Sequence, residues 1–385
     1  MRQTGLRTDF ILFGAGNYNT LGVLHQLGEV GVDPLLLIVG KARDRKHGNI
    51  IGYSKFAKRI VEVVSENEGL VWLMSQKDAF KEGTVIYPTS DTAEKLLDSN
   101  FDILFPRFRF PNAGRQGAVS CLMDKKRQTE IAIDSGLPVI KSQYSNAPDF
   151  CFSQVEYPCM VKPQNSTEGV KGDMRVCENE AELKEALSST DETKNFIVQK
   201  YIKNEADRLF LGVVFSSGEV WIPAVVVKPG VSARGEYTHA IISTDIEGYL
   251  PEMSKVRKFV QKLNYQGPFS VEFGHEKGQN YFFEINLRND GTSHYPLNAG
   301  VNIAEAYIND YPPALKRMTE YEMIDEVGDL RRVLGRELSL SGWLCSFRKA
   351  GSYRFYRKGD YGLLLPRLQM FMTRFTDKIV RILIK

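Results

Sequence analysis

The stretch PFSVEFGHEKGQNYFFEINLRNDG, residues 268–291, leaves this chain little freedom, because apolar and polar side chains alternate in it on either side of a polar turn. A period of two with a turn at its middle is a β-hairpin. Phe269, Val271 and Phe273 alternate with Ser270 and Glu272, and Phe283, Ile285 and Leu287 alternate with Glu284, Asn286 and Arg288. Successive strand residues point to opposite faces, so Glu284, Asn286 and Arg288 share one face. If the apolar sides of both strands cover the same core, Glu272 joins them. Two carboxylates, an amide oxygen and a guanidinium on one face suit a hard cation such as Mg²⁺ with a phosphate beside it. An ordinary amphipathic hairpin with a solvated polar face fits the same alternation.

A second constellation lies upstream. YPCMVKPQNSTEGVKGDMRV places Lys162 at the end of an apolar strand and follows it with a polar loop carrying Gly169, Lys171 and Gly172. Backbone N–H groups of such a loop can cradle phosphate oxygens while a lysine supplies a point charge. A surface hairpin with solvated lysines is the plainer alternative. Before it, MDKKRQTEIAIDSGLP starts a helix at Asp124–Lys125 and stops it at Gly136, a residue type that favours the position after a helix C-terminus. After it, VQKYI reads as an apolar linker strand whose backbone is suited to the edge of a purine.

The start of the chain has a different rhythm. DFILFGAGN is a buried strand running into a glycine turn, a helical pattern follows at Leu21, Leu24 and Leu27, and LLLIVG at 35–40 is the next strand. Further strand-then-helix units are expected at VIYPTSDTAEKLL, capped by Thr89, Ser90 or Asp91, and at FDILFPRF. Alternating β and α elements imply a parallel sheet covered on both sides. PNAGRQGAVS, residues 111–120, marks the first boundary, and the region from Arg208 to Leu287 is strand-rich with one helix near 251–263. At 385 residues, two or three domains are expected.

Charge and cysteine usage exclude several classes. Residues 331–385 carry 13 Lys/Arg against 3 Asp/Glu, while the first 330 carry 37 against 44. Five scattered cysteines without a C-x-x-C pair argue against a disulfide framework and a zinc site, so a reducing, cytoplasmic setting is expected. No run reaches the length of a membrane span. From Leu368 the residues Phe371, Met372, Phe375, Ile379, Ile382 and Leu383 recur at helical spacing, with Arg367, Arg374, Lys378, Arg381 and Lys385 alongside. That tail suits either an anionic membrane surface or docking on the body of the protein.

In this order, the DK helix ending in GLP, the VKP strand with its glycine loop, the QKYI linker and the VEF…FFEINLR hairpin resemble the ATP-grasp superfamily over roughly residues 5–310. The segments FGAGNYNTLG, IGYSKFAKR, IYPTSD and FPRFRFPN are similar to the D-aspartate-ligase-like branch of carboxylate–amine ligases, within reach of the carbamoyl-phosphate-synthase-like enzymes. The resemblance implies an α/β and α+β chain, an ATP-grasp fold preceded by a Rossmann-like parallel-sheet domain. It divides into 1–115 (Rossmann-like), 116–200 (lid with its entry helix), 201–320 (catalytic subdomain) and 321–385 (basic appendage).

The resemblance also implies ATP and two Mg²⁺ ions, with Mn²⁺ as a substitute. Lys125 and Lys162 then hold ATP phosphates, and the loop from Ser166 through Gly169 and Lys171 to Gly172 covers them. Gln199, Lys200 and Ile202 hold adenine. Glu272, Glu284 and Asn286 bind metal, and Arg288, with Lys171, stabilises the phosphoryl group in transfer. Three positions depart from the family pattern: Gln199 replaces a common glutamate, Leu287 replaces the proline of N-P-R, and Ala206 stands where the ribose-binding acid is expected. Glu205 or Asp207 must then serve the ribose.

The expected reaction is ADP-forming ligation of a carboxylate to an amine through an acyl phosphate, with a cell-envelope or polysaccharide precursor as one candidate substrate. The partners expected are small molecules rather than nucleic acid, and the protein is expected as a monomer or homodimer. Two other classes remain to be weighed. Gly14 and Gly16 form half of a dinucleotide-binding fingerprint, but Asn19 holds the third glycine position and Lys41 and Arg43 follow LLLIVG in place of an acid. A non-catalytic nucleotide-binding module would not need the intact Glu272, Glu284, Asn286 and Arg288 set. His239, His294 and Arg234 lie near the expected site, with packing or surface roles as the simpler reading.

Overall fold

The computed structural model describes residues 9–44, 49–146, 150–164, 174–188, 195–229, 237–315 and 318–369. Three sheets organise them. The first comprises β1 (Phe10–Ala15), β2 (Leu35–Val39), β3 (Arg59–Val63), β4 (Thr84–Pro88) and β5 (Phe108–Arg109), all parallel, in the order β3-β2-β1-β4-β5. Its central strands are apolar on both faces because both are covered: Ile11, Phe13, Leu35 and Leu37 enter one core, while Leu12, Leu36 and Ile38 enter another. Ser90 caps the helix Asp91–Ser99, within the expected set.

FDILFPRF differs from its expected strand-then-helix order. Phe101–Leu104 is a short helix and the strand is Phe108–Arg109, because Phe101, Leu104, Phe108 and Phe110 all reach one core from a turn of helix followed by extended chain. β3 carries no clear strand signal, since its edge position leaves four of its five residues half-buried or exposed.

The second sheet contains β6 (Ser142–Tyr144), β7 (Cys159–Pro163), β8 (Arg175–Cys177) and β9 (Phe196–Lys200), antiparallel in the order β6-β9-β7-β8. The third has seven strands, in the order β14-β13-β10-β11-β12-β15-β16. These are β10 (Ala206–Val214), β11 (Val220–Pro229), β12 (His239–Ser243), β13 (Gly267–Glu276), β14 (Gln279–Asn286), β15 (Glu320–Ile324) and β16 (Ser352–Tyr353).

One face of this third sheet, through Phe210, Val225, Val271, Phe273 and Ile285, packs on Met253, Val256, Phe259 and Val260 of the helix Met253–Lys262. The other face, through Leu209, Leu211, Ala224, Val226 and Ile242, joins Leu12, Leu24, Leu36 and Tyr87 of the first sheet's domain in one core. The acids of interest lie on this second face, beyond the end of its apolar patch.

The segment after residue 320 adds β15 and β16 to the large sheet and then crosses to the first domain. There Asp360, 1% exposed, accepts hydrogen bonds from Ser54 Oγ (2.5 Å) and the Lys55 backbone N–H (2.8 Å), with His25 Nε2 at 2.9 Å. Glu326 fixes the preceding stretch by accepting from the backbone N–H groups of Arg354, Phe355 and Tyr356.

Glu94 in the helix Asp91–Ser99 is fully buried, and neither carboxyl oxygen has a partner among the described residues. Burial, reinforced by Asp98, raises its pKa well above the ordinary value. An acid whose pKa is higher folded than unfolded leaves the folded protein less stable as pH rises through that window. The melting temperature of the wild type should therefore fall by a few degrees relative to Glu94→Gln as pH is raised from about 5 to about 8. Parallel melting curves for the two proteins would remove this account.

Candidate active site

β13 and β14 pair with Glu272 opposite Glu284 and Ser270 opposite Asn286. Directly opposed residues of an antiparallel pair point to the same face, so the two carboxylates and the amide converge. Asn286 donates from Nδ2 to Ser270 Oγ at 3.4 Å, which turns its amide oxygen away from that contact. Among the described residues no group of three His, Cys, Asp or Glu side chains is arranged to hold a metal ion. The oxygen set here is therefore two carboxylates plus an amide.

The strict alternation expected across the second strand breaks at one residue. The register slips between Glu272 and Phe273, where Glu272 pairs with Glu284 but Phe273 pairs with Phe282. Phe283, expected in the apolar set, is the extra residue of this bulge, and Phe282, 2% exposed, takes the core position. Phe283 instead covers Gly274, where a Cβ would lie 2.0 Å from its ring. A bulge of this kind re-aims the side chains next to it.

β14 is the edge strand of its sheet. Gln128, on the helix Lys125–Asp134, closes that edge: its Nε2 donates to the Ile285 carbonyl at 3.0 Å and its Oε1 accepts the Ile285 N–H at 3.1 Å. The helix start is thereby held against the acid pair. Asp124 caps it by accepting from the Arg127 N–H, and Lys125 Nζ lies 3.0 Å from Glu284 Oε2. Gln164 Nε2 donates to Asp124 Oδ2 at 2.8 Å and ties the end of β7 to the same point.

The charges respond to this crowding. Burial and then the neighbouring Lys125 ammonium lower the Lys162 pKa to about 8, against the pull of Glu284 and Glu272. Burial works against ionisation of Glu284, yet Lys125, Lys162 and Arg288 together hold its pKa below the ordinary range. Burial raises Glu272, with Lys228 opposing and Glu284 adding to the rise. Two lysines and two acids thus form one cluster at the junction of the second and third sheets.

Lys228, at the end of β11, was not among the residues expected from the sequence. It belongs to this face because Asp207, its partner across β10–β11, also pairs with Gly274, two residues from Glu272. Burial lowers the Lys228 pKa, but Glu272, Tyr237, Asp290 and Asp207 raise it overall. Its ammonium stands 5.0 Å from the Tyr237 ring centroid.

Asp290 completes the set. Thr292 donates to its Oδ1 from both backbone and side chain, and Lys228 and Arg288 help hold its pKa low against burial. Arg354 comes from the far end of the chain. It lies over the rings of Tyr18 (5.2 Å) and Tyr237 (5.1 Å) and donates from Nη1 to Asp325 Oδ2 at 2.6 Å, while its buried Nε has no partner among the described residues. The signal for Lys228 was present as a lysine in register with the inward apolar residues of VWIPAVVVKP, whereas Asp290 and Arg354 carry no local pattern.

Arg288 leaves the hairpin in the expected direction but is engaged by the first domain. Its Nε donates to Asp91 Oδ1, its Nη2 to Asp91 Oδ2 at 3.2 Å, and its Nη1 to the Asn289 carbonyl at 3.0 Å. The loop that follows is anchored there too: Asn289 accepts from Tyr87 and Ser293 and exchanges hydrogen bonds with Asn19. Within the first domain, Gly14 lets the end of β4 pass close by, since a Cβ there would lie 2.3 Å from Thr89 Oγ1.

The remaining expected residues divide. Ile202 is 7% exposed, and Gln199 donates to Ser142 Oγ at 3.3 Å within the second sheet. Lys200 does not join the cluster, because its ammonium pairs with Glu156 at 2.8 Å and its backbone N–H donates to Lys141. Glu205 is exposed and accepts from the Lys277 N–H, while Asp207 is half-buried on the acid face, where burial raises its pKa against Lys228. Ser166, Gly169, Lys171 and Gly172, like Arg234, lie outside the described residues. His239 is held between Glu322 and Asp329, and His294 donates from Nε2 to the Arg354 carbonyl.

Residues 134–303 match the ATP-grasp domain family. Over 211 residues the chain is 28% identical to the formate-dependent phosphoribosylglycinamide formyltransferase of Bacillus subtilis, covering 52% of this chain and 51% of that protein. Over 142 residues it is 28% identical to the carbamoyl phosphate synthase large chain of Sulfolobus acidocaldarius, covering 35% of this chain and 13% of that one. The chain thus spans about half or less of the curated relatives it matches. Among solved structures, the ADP complex of an N5-carboxyaminoimidazole ribonucleotide synthetase superposes with a TM-score of 0.66 at 16% identity, covering 88% of this chain and 87% of that chain. An L-amino acid ligase from Bacillus licheniformis gives 0.61 at 14% identity, covering 84% and 85%. At these identities the likeness is one of fold.

Proposed function

We propose, on the premise that residues 134–303 are an ATP-grasp domain, that this protein is an ADP-forming ligase joining a small-molecule carboxylate to an amine. The observation that carries the reading is the facing pair Glu272 and Glu284 with Lys125 and Lys162 packed against it. Glu272, Glu284 and the Asn286 oxygen suit Mg²⁺, which would supply Lewis-acid stabilisation of the transferring phosphate; Mn²⁺ fits the same ligands. Lys125 and Lys162 would neutralise nucleotide phosphates. The substrate carboxylate attacks the γ-phosphorus, ADP leaves, and an amine then displaces phosphate from the acyl phosphate, so no side-chain nucleophile is required. Arg288, held by Asp91, would act on the transferring group, and Lys171, which lies outside the described residues, would cover it. Gln199 and Ile202 would flank adenine, with Asp207 favoured over Glu205 as the ribose acid because it lies on the acid face.

The test is to incubate the protein with MgATP and a panel of amino acids and small carboxylates and to measure ADP and phosphate. ADP formation dependent on both a carboxylate and an amine supports the reading. Nucleotide binding with no ADP from any pair would leave a regulatory module, and preferential binding of NADH would favour a dehydrogenase. Lys162→Ala should weaken ATP binding by about tenfold or more with a smaller effect on turnover, because a lysine on ground-state phosphates contributes mainly to uniform binding. Isothermal titration of that variant with MgATP measures it, and a wild-type dissociation constant would count against the assignment.

A separate proposal concerns the tail, whose residues 370–385 lie outside the described part of the chain. Leu364, Leu365 and Leu368 are exposed immediately before it, and no described helix is long and apolar enough to cross a membrane. Peripheral contact with anionic lipid, at about 1 kcal/mol per basic side chain near the surface, predicts sedimentation with anionic vesicles at low salt. Deleting the residues after Leu365 should abolish it. A full-length protein that stays in the supernatant ends this reading without touching the ligase proposal.

A further inference from the structure

β7 and β8 set Cys159 directly opposite Cys177. Both side chains point into the small core under the second sheet, with Val161, Leu183, Ala186, Phe196 and Val198, and their exposures are 0% and 2%. Opposed positions of an antiparallel pair bring Cα atoms to roughly 4.5–5.5 Å, inside the range that a disulfide spans without backbone movement. The other three cysteines are differently placed: Cys121 and Cys345 are exposed, and Cys151 is half-buried beside Ser153.

Burial alone would make the facing pair inert, but β8 is an edge strand of three residues whose first two, Arg175 and Val176, are exposed. Releasing it breaks one short ladder and uncovers Cys177 while Cys159 stays on the interior strand β7. Edge elements of this kind open locally far more often than the whole domain unfolds.

We propose that Cys159 and Cys177 are a reversible disulfide site in the second sheet, oxidised by exchange with a small-molecule disulfide and fixing β8 to β7. In the first step the Cys177 thiolate, formed when β8 opens, attacks one sulfur of the external disulfide and expels one thiolate, which takes up the proton that Cys177 lost. Cys159 then gives up its proton, attacks the Cys177 sulfur and expels the second thiolate, which takes up that proton. Two protein thiols and one disulfide become one protein disulfide and two small thiols. The burial that raises the Cys159 thiol to about 11 makes this exchange slow while the sheet is closed.

The full-length protein incubated in a series of oxidised glutathione to dithiothreitol ratios, alkylated and mapped by mass spectrometry, tests this. Cys159 and Cys177 should lose alkylation together and yield a linked peptide pair lighter by two hydrogens, restored by dithiothreitol. A variant carrying Cys121→Ser, Cys151→Ser and Cys345→Ser should behave identically. Hydrogen exchange of the β8 amides should slow by about tenfold in the oxidised form. If both thiols stay fully alkylatable when Cys121 and Cys345 have become mixed disulfides, or if reaction stops at a mixed disulfide on Cys177, the proposal is wrong. A linked peptide without slowed β8 exchange would overturn the claim that the bond fixes the strand.

Discussion

Replacing Glu284 by glutamine should lower ADP formation by about a hundred- to a thousandfold while the protein remains folded, the scale expected when a group stabilising transferring charge is removed. The change keeps the shape of the side chain and the backbone pairing with Glu272. What it removes is the carboxylate that stands 3.0 Å from Lys125 and that Lys125, Lys162 and Arg288 together keep ionised. Glutamine offers Mg²⁺ an amide oxygen without the negative charge and leaves three cations facing one another. Steady-state ADP release gives the activity, and circular dichroism with thermal melting separates a catalytic loss from an unfolded protein. An active Glu284→Gln variant would sink the metal assignment of this hairpin, and with it the proposed chemistry.

Lys228→Met should lower kcat/KM for the carboxylate substrate by about a hundredfold or more while leaving the MgATP dissociation constant within a fewfold of wild type. The reason is position. Lys228, on β11, stands opposite Asp207 of the neighbouring β10 and also acts on Glu272 and Asp290, three strands away from the edge strand β14, where Lys125 meets Glu284. Methionine preserves much of the apolar stem against Tyr237 and deletes the charge. On the proposed ligase reading, the substrate's carboxylate would approach a face that already holds several acids, and Lys228 with Arg354, both over the Tyr237 ring, would supply the compensating charge. Varying each substrate in turn separates the two constants. If the variant loses ATP affinity and retains its carboxylate dependence, Lys228 belongs to the nucleotide side instead.

Much of this site could be read from spacing alone because two of its parts are local. A hairpin's alternation puts Glu284 and Asn286 on one face, and Glu272 joins them once both strands cover the same core, while Asp124 followed by Lys125 starts a helix by a capping rule that acts over three residues. The bulge at Phe283 could not be read, since a run of three apolar residues at Tyr281–Phe283 allows either phase until the packing of Phe282 and the bare Cα of Gly274 decide. Gln128 gave no signal because its task, pairing with both backbone groups of Ile285, depends on which edge of a seven-stranded sheet the hairpin occupies. β12, β15 and β16 are short, and β16 consists of two residues, so their existence follows from the sheet they extend. Arg354 reaches Tyr18 only because that extension carries it there.

Asp360 brings a consequence for how such a chain is inherited. One carboxylate from near the end of the sequence is shared by His25, Ser54 and Lys55 near its beginning, and the strip leading to it carries Arg354. The gene segments encoding the opening domain and the closing strip therefore form one unit of recombination, although more than two hundred codons separate them. A chimera that grafts the first domain alone onto another body would leave His25, Ser54 and the Lys55 N–H without the carboxylate that all three share. Exchange of the two ends together would keep Asp360 with its three partners and Arg354 over Tyr18.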